Sequence, residues 1–316
     1  MSKFVGIHTQ IQRNNRKSFL LLLGFPLLLL GATYLVIFLL NPNQDGEFQP
    51  EKSMDIFINV VPWVVAVVLV WFLIAYFANA KMIALATGAK TLERKENMRV
   101  YNLVENLCMS VGMKMPKVQV IESQALNAYA SGLKESDYTV TLTRGIIEKL
   151  VDDELEGVIA HELMHIRNKD VRLLVISIIF VGIFSFVVQI AFRNILYGSM
   201  TNRNNRDSGK AMTVIMIVAF LAYIISLLFK FSLSRKREYM ADSGAAEMTR
   251  KPWALASALK KIAPNHHIDD VKSEDVQDMF IENTPKDGKL SMFGGVGSLF
   301  ATHPPIEKRI KFLEQF

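Results

Sequence analysis

Four stretches of this 316-residue chain, Ser18–Leu40, Ile56–Ala78, Leu173–Phe192 and Ala211–Phe229, are almost free of charged residues. Each holds close to the ~20 apolar residues that cross ~30 Å of hydrocarbon as a helix. Few folds are open to such a chain, because inside a bilayer each backbone N–H and C=O must be satisfied within its own segment, and helices do this. The four stretches carry most of a hydrophobic share of 51%, against 21% charged residues, a balance too apolar for an ordinary soluble domain. The first stretch exceeds the ~7–15 residues of a secretory h-region and has no small-residue cleavage site before "NPNQDGEFQP", so it reads as a retained anchor. A carrier or channel would need ionisable groups inside the spans, and these cores hold almost none.

The net charge is +6, yet many basic residues flank apolar stretches: Arg13, Arg16 and Lys17, then Arg172, then Arg235, Lys236 and Arg237. Membrane orientation accounts for them and nucleic-acid binding does not. The bias places the arm 1–17 in the cytoplasm and the acidic connection Asn41–Asp55 outside, with 79–170 and 230–316 back inside. Asn194–Lys210 breaks the pattern, since Arg203, Arg206 and Lys210 outnumber Asp207 on the expected outer side. Either the bias is overridden there, or the third and fourth segments do not both cross fully. Cys108 stands alone, which excludes an internal disulfide and a thiolate-built zinc site.

The two cytoplasmic pieces, 79–170 and 230–316, are expected to form one α+β domain with a small sheet, in a mainly α protein. "ENMRVYNLVENLCMSVGM" carries Val100, Leu103, Val104 and Leu107 at helical spacing. "KVQVIES" and "YTVTLT" read as strands, joined by "QALNAYASGLKESD". "VDDELEGVIAHELMHIRNKD" reads as a helix with Asp153 and Glu156 at capping-box spacing and Leu155, Val158, Ile159, Leu163 and Ile166 as its apolar side. After the fourth segment a helical tail leads to a Gly- and Pro-rich loop ending in "ATHPP", then a short closing helix.

On that helix His161 and His165 are four residues apart, so both imidazoles leave one face within reach of a single ion, with Glu162 beside them. Catalytic zinc takes three protein ligands and keeps a fourth position for water. In "SLSRKREYMADSGAAEM", Glu238 and Asp242 share a helix face, where like charges repel unless a cation intervenes. Two readings stand: an exposed acidic pair neutralised by Arg235 or Arg237, or a metal site. In the second, Glu238 is the third ligand and Asp242 orients an imidazole through its other ring nitrogen. Zinc would bring the pKa of its water toward ~7, with Glu162 as general base, and the chemistry would be peptide hydrolysis. Charges on both sides of the motif, "DDELEG" and "RNKD", put it at a membrane surface rather than within the bilayer.

"HELMH", "REYMAD" after a fourth apolar segment, "NAYASG" and "THPP" together resemble the HtpX family of membrane-bound zinc metallopeptidases, relatives of the prenyl-protein endopeptidases. The resemblance implies a zincin-like domain facing the cytoplasm from a bacterial inner membrane, and one Zn²⁺ per chain held by His161, His165 and Glu238. It implies Glu162 as catalytic acid and base. It implies that Asn127 and Ala128 belong to an edge strand where an extended substrate pairs, and that His303 lies near the zinc, with Arg309 a further candidate there. The partners it implies are damaged or misassembled membrane proteins or unfolded chains, the lipid bilayer and other membrane quality-control proteases. The alternative is a membrane scaffold or carrier with a structural metal site and no proteolysis, against which the intact Glu162 argues. The adjacent His266 and His267 point apart and read as a polar loop, and His8 lies in the amino-terminal arm.

Overall fold

The computed structural model describes residues 7–43, 46–201, 206–231, 235–268, 271, 279–282 and 304–316. The chain forms two compact units: Lys17–Phe77 with Ile176–Lys230, and Ala78–Val175 with Phe231–Phe316 and the stretch before Lys17.

The first unit is built from long helices, α1 (Ile7–Leu40), α2 (Pro50–Thr87), α6 (Asp170–Thr201) and α7 (Arg206–Phe231). Within them Ser18–Leu40, Pro50–Thr87, Asp170–Ile190 and Lys210–Leu227 are long and apolar enough to cross a membrane. Trp63, Phe77 and Leu27 are mostly exposed, as befits helices whose solvent is hydrocarbon. The interior is aromatic: Phe180 of α6 stacks on Phe25 of α1 at 4.6 Å and on Phe72 of α2 at 6.0 Å. The stretch read as a loop after the third segment is largely helical. α6 runs on to Thr201 and α7 begins at Arg206, because no proline interrupts the polar continuation of either helix.

The second unit has a four-stranded sheet in the order β1-β2-β4-β3, with β1 at Lys90–Thr91, β2 at Lys117–Ile121, β3 at Ala128–Ser131 and β4 at Thr139–Thr143. β2 and β4 pair in parallel, and β3 lies antiparallel to β4 at the sheet edge. Around it stand α3 (Met98–Ser110), α4 (Arg144–Lys149), α5 (Asp152–Arg167), α8 (Arg235–Thr249), α9 (Pro252–Ile262) and α10 (Ile306–Leu313).

α5 is the centre of this unit and packs on α3, α8, α9 and β3. Leu155, Val158, Ile159, Leu163 and Ile166 are all buried. Each such burial is worth about 1.5–3 kcal/mol, well above the few tenths by which β-branched residues disfavour a helix. Packing therefore decides the conformation. Two glycines set how closely the neighbours approach. A Cβ at Gly157 would stand 3.2 Å from the backbone of Leu255 on α9, and one at Gly244 would run into the Met164 side chain between α8 and α5.

The amino-terminal signal of α5 differs from the expected one. Val151 is the N-cap, and its N–H donates to Glu154 Oε2 at 3.2 Å. Asp153 and Glu156 instead both accept from Lys251 Nζ, at 2.7 and 3.0 Å. The spacing seen in the sequence is real, but a lysine delivered by α9 uses it.

Candidate metal centre

α5 presents His161 and His165 one turn apart, their rings perpendicular with centroids 4.6 Å apart. α8 brings in Glu238, and the donor atoms of the three residues lie within 4.8 Å of one another. The two Nε2 atoms are 3.1 Å apart. Glu238 Oε2 is 3.6 Å from His161 Nε2, and Oε1 is 3.5 Å from His165 Nε2. Ligand bonds of about 2.0–2.1 Å at tetrahedral angles put neighbouring donors about 3.3 Å apart, so the triangle has the right size for one ion.

The other ring nitrogens are already used. His161 Nδ1 is 2.9 Å from Asp242 Oδ1, and His165 Nδ1 is 3.1 Å from Asp170 Oδ2. A carboxylate can only accept, so each Nδ1 carries a proton. Were both rings neutral, their Nε2 lone pairs would face each other at this distance and repel, a conflict that a shared cation, proton or metal, removes.

Charge points the same way. Glu162, Glu238, Asp242 and Asp170 are all buried around the imidazoles, against the fully buried guanidinium of Arg309 and that of Arg237, buried beside Asp170. Burial and Arg309 both work against protonating His161, yet Asp242 and Glu238 raise it to about 9. The cluster attracts positive charge, and carboxylates that favour a proton there also favour a dication. Burial pushes the Glu162 carboxyl above its ordinary range. Among the described residues, none forms a hydrogen bond or ion pair with that carboxylate.

Asp242 is held by Arg309, whose Nε and Nη2 reach its two oxygens at 2.9 and 2.8 Å. This two-pronged clamp outweighs burial and keeps the Asp242 carboxyl below its usual range. Arg309 Nη1 also donates to the Ile281 carbonyl at 3.0 Å. The acidic pair is therefore buried rather than surface-exposed. Arg237, which could have neutralised it, directs Nη1 toward the Asp170 carbonyl at 3.4 Å instead.

Sequence reasoning passed over Asp170 as a flanking charge. Lys169, at φ 60°, turns the chain between α5 and α6 and brings the first residue of α6 back against His165. The available signal was an acidic residue five positions after the second histidine, just past a helix end.

Asn127 and Ala128 lie at the start of β3, and both are buried. The Asn127 side-chain amide donates to the carbonyls of His266 and Glu282, each at 2.8 Å, while its oxygen accepts from Ala128 N–H. The Ala128 carbonyl accepts from Ile281 N–H at 2.9 Å. Residues of this chain thus hold both groups. His303 lies outside the described residues. His266 Nδ1 pairs with the Ala263 carbonyl at 2.8 Å, as a local loop contact.

The profile of peptidase family M48 matches residues 94–316. The chain belongs to that family. Among M48 relatives, a "Protease HtpX homolog" of Bacteroides fragilis is 56% identical over 99% of this chain and 100% of its own length. One from Listeria monocytogenes is 36% identical over 96% and 98%. The crystal structure of S. mikatae Ste24p aligns over 96% of this chain and 66% of that one, at 21% identity and a TM-score of 0.45, a likeness too distant to build on. The HtpX resemblance drawn from the motifs thus holds, and this M48 chain is a membrane metalloprotease with four candidate membrane helices.

Proposed function

We propose that the chain is a zinc endopeptidase of the bacterial inner membrane, with its catalytic unit in the cytoplasm, cutting damaged or misassembled membrane proteins and unfolded chains. The observation that carries this reading is the triangle of His161, His165 and Glu238 donor atoms, with both Nδ1 atoms already committed to carboxylates. These three residues would hold one ion per chain, a ligand set of the kind that leaves a fourth position for the reaction. When bound, zinc supplies Lewis-acid activation of water and of the scissile carbonyl.

The remaining work belongs to the chain. Glu162 takes the proton of the attacking water and returns it to the departing amine, and its burial favours holding that proton between the two steps. Asp242 and Asp170 fix the imidazole tautomers, and Arg309 keeps Asp242 ionised. His303 is assigned as a donor to the developing oxyanion.

An extended substrate adds to the edge of β3. Asn127 O accepts from Thr143 N–H, so residues 127, 129 and 131 face β4, and the outward-facing groups belong to Ala128 and Ala130. With Ala128 engaged by Ile281, Ala130 is the residue that pairs with substrate, and Asn127 holds the end of the edge. Main-chain pairing reads little sequence, as suits a clearance enzyme. Lys81 near the end of α2 and Lys90 after it support the cytoplasmic placement.

The test is metal content and hydrolysis of an unfolded protein by the detergent-purified enzyme. Glu162→Gln is expected to keep its metal and lose about 10²–10⁴-fold in rate. Glu238→Ala is expected to lose both. Full metal in Glu238→Ala would refute the ligand assignment, and undiminished hydrolysis in Glu162→Gln would refute the mechanism.

A further inference from the structure

α2, α6 and α7 enclose a groove of about 340 Å³ whose lining side chains are all apolar, among them Val67, Trp71, Ile183, Phe186, Ile190 and Met212. Trp71 and Phe186 form one wall, stacked at 5.9 Å. On α6 the residues Ile183, Phe186 and Ile190 follow each other by three and four positions, so they form one stripe along the helix. Arg193, exposed, is three positions further along that stripe, about 4.5 Å beyond Ile190. In the sequence the apolar runs of α6 and α7 are Leu173–Phe192 and Ala211–Phe229, so Arg193 and Lys210 are the charged residues that directly flank them. The sequence between them adds Arg203 and Arg206 against Asp207 alone. This basic connection is the feature that positive-inside orientation leaves unexplained.

We propose that the groove is a binding site for one acyl chain of an anionic phospholipid, whose headgroup sits against Arg193 and Lys210. A groove that is apolar along its length and basic at one end complements an amphiphile with a negative head. A phospholipid supplies both parts at once, an apolar chain and a negative head, whereas an apolar membrane-spanning helix would leave the basic end unmatched. Arg193 and Lys210 then serve a headgroup instead of reporting orientation.

Native mass spectrometry of the delipidated full-length protein tests this, with phosphatidylglycerol and phosphatidylcholine of the same chains added back. The expected result is one retained phosphatidylglycerol, favoured about tenfold over phosphatidylcholine, a difference of about 1.4 kcal/mol. Arg193→Gln with Lys210→Gln should bring that preference below about twofold. Ile183→Trp, which fills the groove, should lower retention of both lipids while an unchanged thermal midpoint shows that the fold is intact. Dihexanoyl phosphatidylglycerol, with the same head and short tails, should fail to compete. Equal retention of both lipids, or variants that bind like the wild type, would overturn the proposal. So would displacement of the bound lipid by an apolar membrane-spanning peptide but not by excess phosphatidylglycerol, which would make the groove a protein-docking site.

Discussion

Along Asp152–Ala160, α5 meets its charged partners near the surface, and along His161–Arg167 it meets them in the dry interior. In the first half, Lys251 bridges Asp153 and Glu156 with side chains 37%, 41% and 23% exposed, and Arg99 pairs with an Asp152 that is 72% exposed. In the second half, His161, Asp242 and Arg309 have no exposed side-chain area. Solvent weakens the surface pairs and leaves them worth about 0–1 kcal/mol each. Buried pairs gain little net stability over a well-packed apolar core, yet cost several kcal/mol when one partner is removed. The difference teaches why the second half is built as it is. Stability alone gives no reason to bury Asp242 and Arg309 behind an imidazole, whereas holding that imidazole's tautomer and charge does.

The sharpest way to break the comparison is to remove the buried cation. Arg309→Met leaves Asp242 charged and without its clamp, and is expected to destabilise the catalytic unit by about 3–5 kcal/mol, read from the denaturation midpoint. A loss no larger than that of a surface pair would show that water reaches the Asp242 side. Cys108 of α3, buried and pushed up to about 11, supplies a second readout. Its thiol stays protonated and shielded at pH 8 in the folded chain, so faster alkylation in the variant would mean that the damage spreads beyond the site.

Asp242→Asn comes next. It preserves shape and a possible acceptor for His161 Nδ1 but removes the charge, and is expected to weaken metal affinity about 10–100-fold, measured by competition with a chelator. Asp170→Asn, beside a His165 that is 14% exposed, should fall at the lower end of that range. A reversal of the order would make the solvent-facing imidazole the one whose orientation matters more.

How far the sequence could be read follows the same division. The histidine pair and the acidic pair are each local, one helical turn apart, so period alone placed each pair on one face. That α8 would lie against α5 is a tertiary fact, permitted at Gly244 by the missing Cβ, and only the similarity of several ordered motifs pointed to it. Arg309 could be named as a candidate near the metal only through the family resemblance, because its partners are 67 and 28 residues away. The helix of α5 was legible and its capping was not, since Asp153 and Glu156 have the spacing of a box and are claimed by Lys251. From the residues alone β3 was read as part of the connection between two strands, the family resemblance alone implied an edge strand there, and its engagement by Ile281 depends on a contact from far along the chain.

Glu154 sits between the two regimes, itself buried but bonded to a half-exposed lysine. Burial alone would raise its carboxyl, but Lys261, Ser257 and the Val151 N–H outweigh burial and hold it below its ordinary 4.5. A depressed carboxyl contributes stability above its unfolded pKa and loses it as pH falls through the folded one. The wild type should therefore lose thermal stability from about pH 5 to pH 3 more steeply than Glu154→Gln does. At neutral pH the variant should be less stable by about 1.5–3 kcal/mol, the range for hydrogen bonds to a charged group. Parallel pH profiles would remove Glu154 from the interior class.

The smallest effect belongs to Lys251. Its Nζ has two carboxylate partners, which raise its pKa, and it joins α9 to the first half of α5. With side chains this exposed the pairing is screened, so Lys251→Met should cost no more than about 1 kcal/mol, and less in molar salt, where the Debye length falls to about 3 Å. It should leave metal affinity unchanged within twofold, because Asp153 and Glu156 lie on the opposite half of the helix from the imidazoles. Lys251 also precedes Pro252 at the start of α9, where lysine has no capping oxygen to lose, so the substitution tests the ion pairs and little else. A loss above about 2 kcal/mol that persists in high salt would mean that these pairs are shielded as the buried ones are, and the contrast between the two halves of α5 would disappear.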